Sequence, residues 1–194
     1  MSFINKALRE INCKIVYYGA GLGGKTTNLQ WIFDQTARNS GERMLSLATE
    51  DERTLFFDFL PLDLGTVRGY TVRLHLYTVP GQIAYHASRK LILRGVDGVV
   101  LVADSQSNRM EANIAAIEDL QQNLKEIGED YHRLPYVLQM NKQDLPGVTP
   151  PSQMKALLQH KNEPVFEAIA SQGIGVLDTL KGIGRLVLAR VKKG

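Results

Sequence analysis

Two kinds of hydrophobic pattern alternate along the chain. Short runs of consecutive or alternating apolar residues predict six strands, at residues 13–18, 57–62, 70–78, 98–104, 136–140 and 165–170. Between several of these runs, apolar residues recur every three to four positions, most clearly from Met110 to Ile127 and from Val176 to Val191. Strands that alternate with amphipathic helices predict an α/β fold with a doubly wound, mostly parallel six-stranded sheet.

One part of the pattern departs from the parallel arrangement. Residues 57–62 and 70–78 both alternate apolar and polar side chains, and the short connection between them ends at Gly69, which predicts an antiparallel hairpin. Pro61 has no N–H to donate to a neighbouring strand, so its strand is expected at an edge of the sheet. Residues 42–56 are mixed in character and predict a functional loop with a short extended piece at residues 44–47.

Composition narrows the class of protein. The chain has 194 residues, of which 44% are hydrophobic, enough for one domain with a single core. The net charge of +3 is too small to indicate binding to nucleic acid. A single cysteine, Cys13, favours a cytoplasmic protein without disulfides. No apolar run is long enough to span a bilayer and no lipidation signal is present, so we expect no direct membrane anchor.

A glycine-rich loop lies between the first predicted strand and the first predicted helix. It consists of Gly19, Ala20, Gly21, Leu22, Gly23, Gly24, Lys25 and Thr26, with Thr27 next in the chain. Two glycines four residues apart, followed by Lys and a hydroxyl, fit a phosphate-binding loop, in which backbone N–H groups and the helix dipole meet the phosphates. We expect Lys25 to neutralise the outer phosphates and Thr26 to bind Mg²⁺.

A second motif is suited to selecting the base of a bound nucleotide. Asn141, Lys142, Gln143 and Asp144 directly follow the predicted strand at 136–140. The Asp144 carboxylate can accept two hydrogen bonds from the ring N–H and amino group of guanine, a donor pair that adenine lacks. Lys142 can pack along the purine face, and Asn141 can brace the phosphate loop. Asn-x-x-Asp also occurs in ordinary surface turns, so its position at the end of a strand gives this motif its weight.

Together these motifs resemble the Ras-like small GTPases, and in particular the bacterial group that controls gliding motility and cell polarity. Residues 51–62 and 76–82 are similar to that group, and the resemblance covers essentially the whole chain. It implies a single G domain over residues 1–194. It also implies a switch that binds GTP or GDP with Mg²⁺ and hydrolyses GTP slowly, at a rate that an activator raises.

The resemblance assigns further residues. It implies that Arg53 is an arginine finger carried in cis, that Gln82 orients the attacking water and that Gly81 donates its N–H to the γ-phosphate. Lys25 joins Arg53 and Gln82 in the catalytic set. By position, Thr54 ligates Mg²⁺ when the γ-phosphate is present. Ser171 and Gln172 occupy the position of a loop that touches the guanine carbonyl, although here the motif is degenerate.

Two of these assignments leave alternatives open. Ras-like proteins usually carry Asp, which holds Mg²⁺ through water, at the position of Thr78. Here either Thr26, the phosphates and waters hold the ion, or Mg²⁺ is bound more weakly, with Thr78 contributing through water. A lone loop arginine such as Arg53 is more often solvated or paired with a neighbouring acid, here Glu50, Asp51 or Glu52.

The residues also leave alternatives for the function. Thr78 favours a guanine-nucleotide-binding scaffold with little or no hydrolysis over a working hydrolase. A P-loop kinase or ATPase is the third alternative, against which Asp144 argues. The resemblance implies two switch segments, at about residues 42–57 and 78–90, and a homodimeric activator of the roadblock type that binds them. It also implies effector proteins and recruitment to a cell pole through partners. Apolar residues 56–62 could form the activator's docking patch, or the C-terminal helix could cover them.

Overall fold

Strands and helices alternate along most of the chain. The computed structural model describes residues 3–36, 44–48, 54–67, 69–80 and 86–192. The strands in these ranges are β1 Phe3–Asn5, β2 Glu10–Tyr18, β3 Leu45–Ala48, β4 Thr54–Val67, β5 Tyr70–Thr78, β6 Gly98–Asp104, β7 Tyr136–Asn141 and β8 Val165–Glu167. The α-helices are α1 Lys25–Thr36, α2 His86–Leu93, α3 Met110–Glu126, α4 Pro151–Leu158 and α5 Val176–Val191. Short 3-10 turns occupy Ser107–Arg109 and Ala170–Gln172.

All the strands of the described residues belong to one sheet. Their order is β3-β4-β5-β2-β6-β7-β8, and β1 pairs with β2. The centre of the sheet is parallel, because β2 lies between β5 and β6, and β7 and β8 continue in the same direction. The pairs β4–β5, β3–β4 and β1–β2 are antiparallel. The predicted doubly wound, mostly parallel fold with an antiparallel edge is therefore confirmed.

The sheet differs from the prediction in its number of strands. All six predicted strands form, but the sheet has eight. The additional β1 has three residues, too few for periodicity to show, and β3 corresponds to the extended piece predicted at 44–47. β8 ends at Glu167 rather than at residue 170, because the chain turns there into a 3-10 turn.

Pro61 does not mark an edge strand in the way predicted. β3 lies outside β4 in the sheet, but it pairs with β4 only between Thr54 and Phe59. Pro61 is opposite His75 of β5 and lies beyond the part of β4 that β3 covers. The missing N–H is therefore tolerated at a position where β4 has a partner strand on one side only, within the described residues.

Helices cover both faces of the sheet. On one face, Leu29 and Ile32 of α1 and Leu180 and Ile183 of α5 pack on buried residues of the central strands. On the other face, residues of α2, α3 and α4 do the same. Every residue of β6 is buried, as expected for a parallel strand between two helical layers. This arrangement leaves the carboxyl edge of the parallel strands open, which is where α/β sheets of this kind bind ligands.

Candidate nucleotide-binding site

The motif residues follow strands that end at this carboxyl edge. β2 ends at Tyr18, β5 at Thr78, β6 at Asp104 and β7 at Asn141. The glycine-rich loop starts immediately after β2 and leads directly into α1. Segments 19–26 and 141–144, which are far apart in the sequence, are therefore brought together at one end of the sheet.

The glycine-rich loop packs tightly against the chain around it. Gly19 has φ +142°, and a Cβ atom there would lie 2.2 Å from the carbonyl oxygen of Val102. Gly24 has φ +98°, and its Cβ would lie 2.2 Å from Nδ2 of Asn141. A side chain at either position would clash with these neighbouring protein atoms, whether or not a ligand is bound. These contacts are a second reason for glycine at the two positions, in addition to the close approach of phosphate that the sequence predicts.

Lys25 begins α1 beneath this loop. Its side chain is buried, and Nζ donates to the carbonyl oxygens of Gly19 at 3.0 Å and of Ala20 at 2.8 Å. Burial lowers the pKa of Lys25 to about 8, although the negative charge of Asp58 acts in the opposite direction. An ammonium held in this way can neutralise an anion above the loop. Thr26 follows it, partly buried, and Thr27 is exposed at the start of the helix.

Asn141 links the two motifs directly. Its side chain is buried at the end of β7, and Nδ2 donates to the carbonyl oxygen of Gly23 at 2.9 Å. Its Oδ1 accepts a hydrogen bond from the backbone N–H of Ala170 at 2.9 Å. One amide therefore joins the glycine-rich loop, β7 and the 3-10 turn that contains Ser171 and Gln172, which are both exposed.

The residues next to Asn141 extend this arrangement. Lys142 has a left-handed backbone conformation, with φ +67°, and its Nζ is 2.6 Å from Oδ2 of the buried Asp104. Asp144 lies in the following turn and is exposed. In the described part of the chain no protein group contacts its carboxylate within hydrogen-bond or ion-pair distance, which leaves it accessible to a base.

Arg109 also belongs to this site, although no sequence motif pointed to it. It ends the 3-10 turn before α3, and its Nη2 donates to the carbonyl oxygen of Gly21 at 2.7 Å. Its Nε lies 3.8 Å from the Asp104 carboxylate. Asp104 therefore joins the positively charged groups of Lys142 and Arg109, one from the base motif and one that touches the phosphate loop.

A buried carboxylate faces the expected magnesium ligands. Asp58 of β4 has no exposed surface. Its Oδ2 accepts hydrogen bonds from Oγ1 of Thr26 at 2.5 Å and from Oγ1 of Thr78 at 2.8 Å. No sequence motif pointed to Asp58. The available signal was an acidic residue at a position where the alternation of β4 places a side chain on the core face.

The segments that would respond to the γ-phosphate are described only in part. Arg53, Gly81 and Gln82 lie outside the described residues, and Thr54 is the first residue of β4.

The apolar side chains of β4 lie on both faces of the sheet. Leu60 and Leu62 face the core, whereas Phe59 is half-buried on the opposite face, where its ring lies 4.9 Å from that of Tyr77. The apolar residues of β4 are thus divided between the two faces.

α2 is tied to α3 through a buried ion pair. Arg89 of α2 is buried, with Nε 2.9 Å from Oδ2 of Asp119, and its Nη1 donates to the carbonyl oxygen of Pro80 at 3.4 Å. Arg89 is therefore not a surface contact for other proteins. It connects the start of the second switch segment to the helical layer.

The order of the sheet and the motifs at its carboxyl edge define a Ras-like small GTPase. No family model matches the chain. However, it is 59% identical over 194 residues, the full length of both proteins, to the mutual gliding-motility protein MglA of Myxococcus xanthus (strain DK1622). The chain therefore belongs to the MglA family of Ras-like GTPases and is a GTPase switch. This relationship favours the switch over a scaffold that binds nucleotide without hydrolysing it.

None of the helices in the described ranges is both long enough and apolar enough to cross a bilayer.

Proposed function

We propose that residues 1–194 form a single G domain that binds GTP and GDP together with Mg²⁺ and controls cell polarity or surface motility. The observation that carries this proposal is the hydrogen bonding of Asn141, which holds the phosphate loop against the motif that contains the exposed Asp144. One end of the sheet thus offers a cradle for phosphates and a carboxylate for the base. The motility role is supported by the name of the Myxococcus relative.

The site residues take the following roles in this proposal. The backbone of residues 19–24 holds the phosphates, together with Lys25 and the start of α1 at Thr26 and Thr27. Thr26 and Thr54 ligate Mg²⁺. Asn141, Lys142 and Asp144 hold the base, with the turn at Ser171 and Gln172 beside it. Gly81 and Gln82 position the γ-phosphate and the attacking water, and Arg53 stabilises the charge that develops on the phosphoryl oxygens.

The hydrolysis is slow in the isolated protein and faster with an activator. The activator is an MglB-like homodimer of the roadblock type that binds the switch segments around residues 42–57 and 78–90. It repositions Arg53 and Gln82 rather than inserting an arginine of its own. The protein is cytoplasmic, and partners that distinguish its GTP form from its GDP form recruit it to a cell pole.

Base selection is tested by Asp144→Asn. The substitution keeps the shape of the side chain but replaces an acceptor of the two guanine donors, so the preference for GTP over ATP in a competition assay should collapse. Glu118→Gln, an exposed change of the same chemical type on α3, should leave the preference intact. If Asp144→Asn discriminates as well as the unaltered protein, the guanine assignment is wrong.

Hydrolysis is tested by Arg53→Ala and Gln82→Ala. Both variants should retain bound nucleotide but release phosphate at least about 100-fold more slowly with the activator present, because each removes transition-state stabilisation. Arg133→Ala is the matched control, since the side chain of Arg133 is 85% exposed and lies in the connection before β7, at the end of that strand opposite to the site. Normal phosphate release by both variants would overturn the catalytic assignment.

A further inference from the structure

Asp104 is a buried carboxylate at the carboxyl end of β6, and it belongs to neither nucleotide motif. It is 1% exposed, and it is opposite Asn141 in the parallel register of β6 and β7. A carboxylate removed from water in this way is costly unless positive charge and hydrogen bonds compensate for it. The partners of Asp104 therefore indicate what its charge is used for.

Hydrogen bonds fix the orientation of this carboxylate. Its Oδ1 accepts a hydrogen bond from the backbone N–H of Gln106 at 3.1 Å. The buried Asn113 of α3 holds the backbone of Asp104: its Oδ1 accepts from the N–H at 3.0 Å, and its Nδ2 donates to the carbonyl oxygen at 2.8 Å. The other carboxylate oxygen, Oδ2, is the atom that meets charged side chains.

Oδ2 holds the ammonium group of Lys142. Nζ of Lys142 donates to it at 2.6 Å from the end of the neighbouring strand β7. The backbone of Lys142 is left-handed, with φ +67°, a conformation that is disfavoured for residues with a side chain and that clusters at functional sites. Both ends of this side chain are therefore held, and the stem between them is the part that the sequence predicts to pack along the purine face.

Oδ2 also attracts the guanidinium group of Arg109. Nε of Arg109 lies 3.8 Å from it, while Nη2 donates to the carbonyl oxygen of Gly21 at 2.7 Å. Burial is the main cause of the lowered pKa of Lys25, and the positive charge of Arg109 acts in the same direction, so this charge reaches the phosphate loop. One carboxylate oxygen thus holds a cation of the base motif and a cation on the phosphate loop.

We propose that Asp104 is a positioning residue for the nucleotide, which holds the ammonium of Lys142 beside the base and the guanidinium of Arg109 against the phosphate loop. This inference rests on the proposed function, because the pocket that Asp104 organises is that of the nucleotide. Asp104 acts through these two cations. Loss of its charge should weaken the hold on the whole nucleotide without changing which base is chosen, because Asp144 makes that choice.

The test measures the release of bound N-methylanthraniloyl-GDP from the full chain, in Mg²⁺, after addition of excess GDP. Asp104→Asn keeps the shape of the side chain and an acceptor for the N–H of Gln106. It presents an NH₂ group in place of Oδ2, and a donor can hold neither cation. Loss of a hydrogen bond between charged groups changes an equilibrium constant by roughly 30-fold, so release should be about 30-fold faster.

Asp97→Asn is the matched control. Asp97 directly precedes β6, at the end of that strand opposite to the site, and it is also buried. Its Oδ2 accepts a hydrogen bond from the backbone N–H of Lys14 at 2.8 Å. The control therefore loses a buried charge of the same kind but should release the nucleotide at the rate of the unaltered protein. Equal release rates in the two variants would show that the inference is wrong.

Lys142→Met separates positioning from a general loosening of the fold. Methionine keeps an apolar stem but removes the ammonium. When Asp104→Asn is added to this variant, release should accelerate by less than about fivefold, because only the longer contact with Arg109 remains to be lost. A loosened fold would instead multiply the rate by about 30 again, which would overturn the inference. The double variant loses both charges of the pair, so the comparison also serves if Asp104→Asn alone folds poorly.

The preference for GTP over ATP gives a further readout. Asp104→Asn should weaken the binding of both nucleotides and leave the ratio of their affinities unchanged, because the stem of Lys142 can pack on either purine. A ratio that falls as far as in Asp144→Asn would overturn the inference, since Asp104 would then act on base selection.

Failure of the proposed function would look different. In that case the unaltered protein itself would retain no guanine nucleotide. Normal retention by the unaltered protein, together with an Asp104→Asn variant that releases the nucleotide no faster, would leave the GTPase proposal intact and remove only the positioning role of Asp104.

Discussion

At the scale of single residues, loss of the buried side-chain amide of Asn141 is expected to have a large effect on the free energy of unfolding. Asn141→Ala removes the donor to Gly23 and the acceptor for Ala170, and leaves a buried carbonyl and a buried N–H unsatisfied. Each such group costs about 1–3 kcal/mol, so for the two groups we expect a loss of about 2–6 kcal/mol in the free energy of unfolding. Denaturant titration measures this loss. Asn108→Ala, at an exposed position, should change it by less than about 0.5 kcal/mol, and equal effects would contradict the role of Asn141.

Arg109 is expected to affect nucleotide release rather than stability. Arg109→Met keeps an apolar stem but removes the hydrogen bond to the carbonyl oxygen of Gly21. A net loss of about 1 kcal/mol would accelerate the release of bound GDP by about fivefold, because the phosphate loop loses a support. Stopped-flow fluorescence measures the rate. Arg133→Met is the control, and a release rate equal to that control would show that the contact does not hold the loop.

The residues that could be predicted are those that belong to a local motif. Gly19 to Thr26 and Asn141 to Asp144 are recognisable because order and spacing carry their chemistry. Asp58 and Arg109 were missed because their roles arise from neighbours far away in the sequence: Thr78 is 20 positions from Asp58, and Gly21 is 88 positions from Arg109. Gln139, whose side chain bonds Asn28 and Thr179 beneath the loop, gave one signal, an amide within an apolar run.

At the scale of elements, α5 contains two glycines with opposite expected behaviour. Gly184 lines an apolar groove of about 410 Å³ with Leu62, Leu177 and Leu188, and a Cβ there would meet nothing within 4 Å. Gly184→Ala should therefore stabilise the protein by about 0.5–1 kcal/mol, through better helix propensity.

Gly182 is the matched comparison. A Cβ at this position would lie 2.4 Å from Cζ of the Phe166 ring, so the ring must shift. Gly182→Ala should therefore destabilise the protein by about 1–3 kcal/mol. Thermal unfolding of the two variants measures the difference, and a change of the same sign in both would contradict this account of α5.

The elements themselves were largely predictable, and their ends were not. Apolar periodicity located β2, β6, β7, α3 and α5, because each is long and covered by neighbours. β1 was missed because three residues carry no period, and β8 was predicted too long because the chain turns at Ala170, where its N–H bonds to Asn141. That hydrogen bond depends on the assembled sheet and leaves no trace in the local sequence.

At the scale of the whole molecule, the single cysteine provides a measure of how nucleotide stabilises the fold. Cys13 lies in the central strand β2 with no exposed surface, and burial raises the pKa of its thiol to about 12. Since the thiolate is the reactive form, alkylation requires the chain to open first. A ligand that binds only the folded state lowers the open population, by about 2.7 kcal/mol at 100 times its Kd.

We therefore expect GDP with Mg²⁺, at 100 times its Kd, to slow the alkylation of Cys13 by iodoacetamide about 100-fold. ATP at the same concentration is the control and should have little effect, because Asp144 does not pair with adenine. Mass spectrometry over time gives both rates. Equal protection by ATP would contradict base selection. An unchanged rate with GDP would mean that β2 opens locally, without the loop at its carboxyl end, and that the nucleotide site and the core of the sheet are not one cooperative unit.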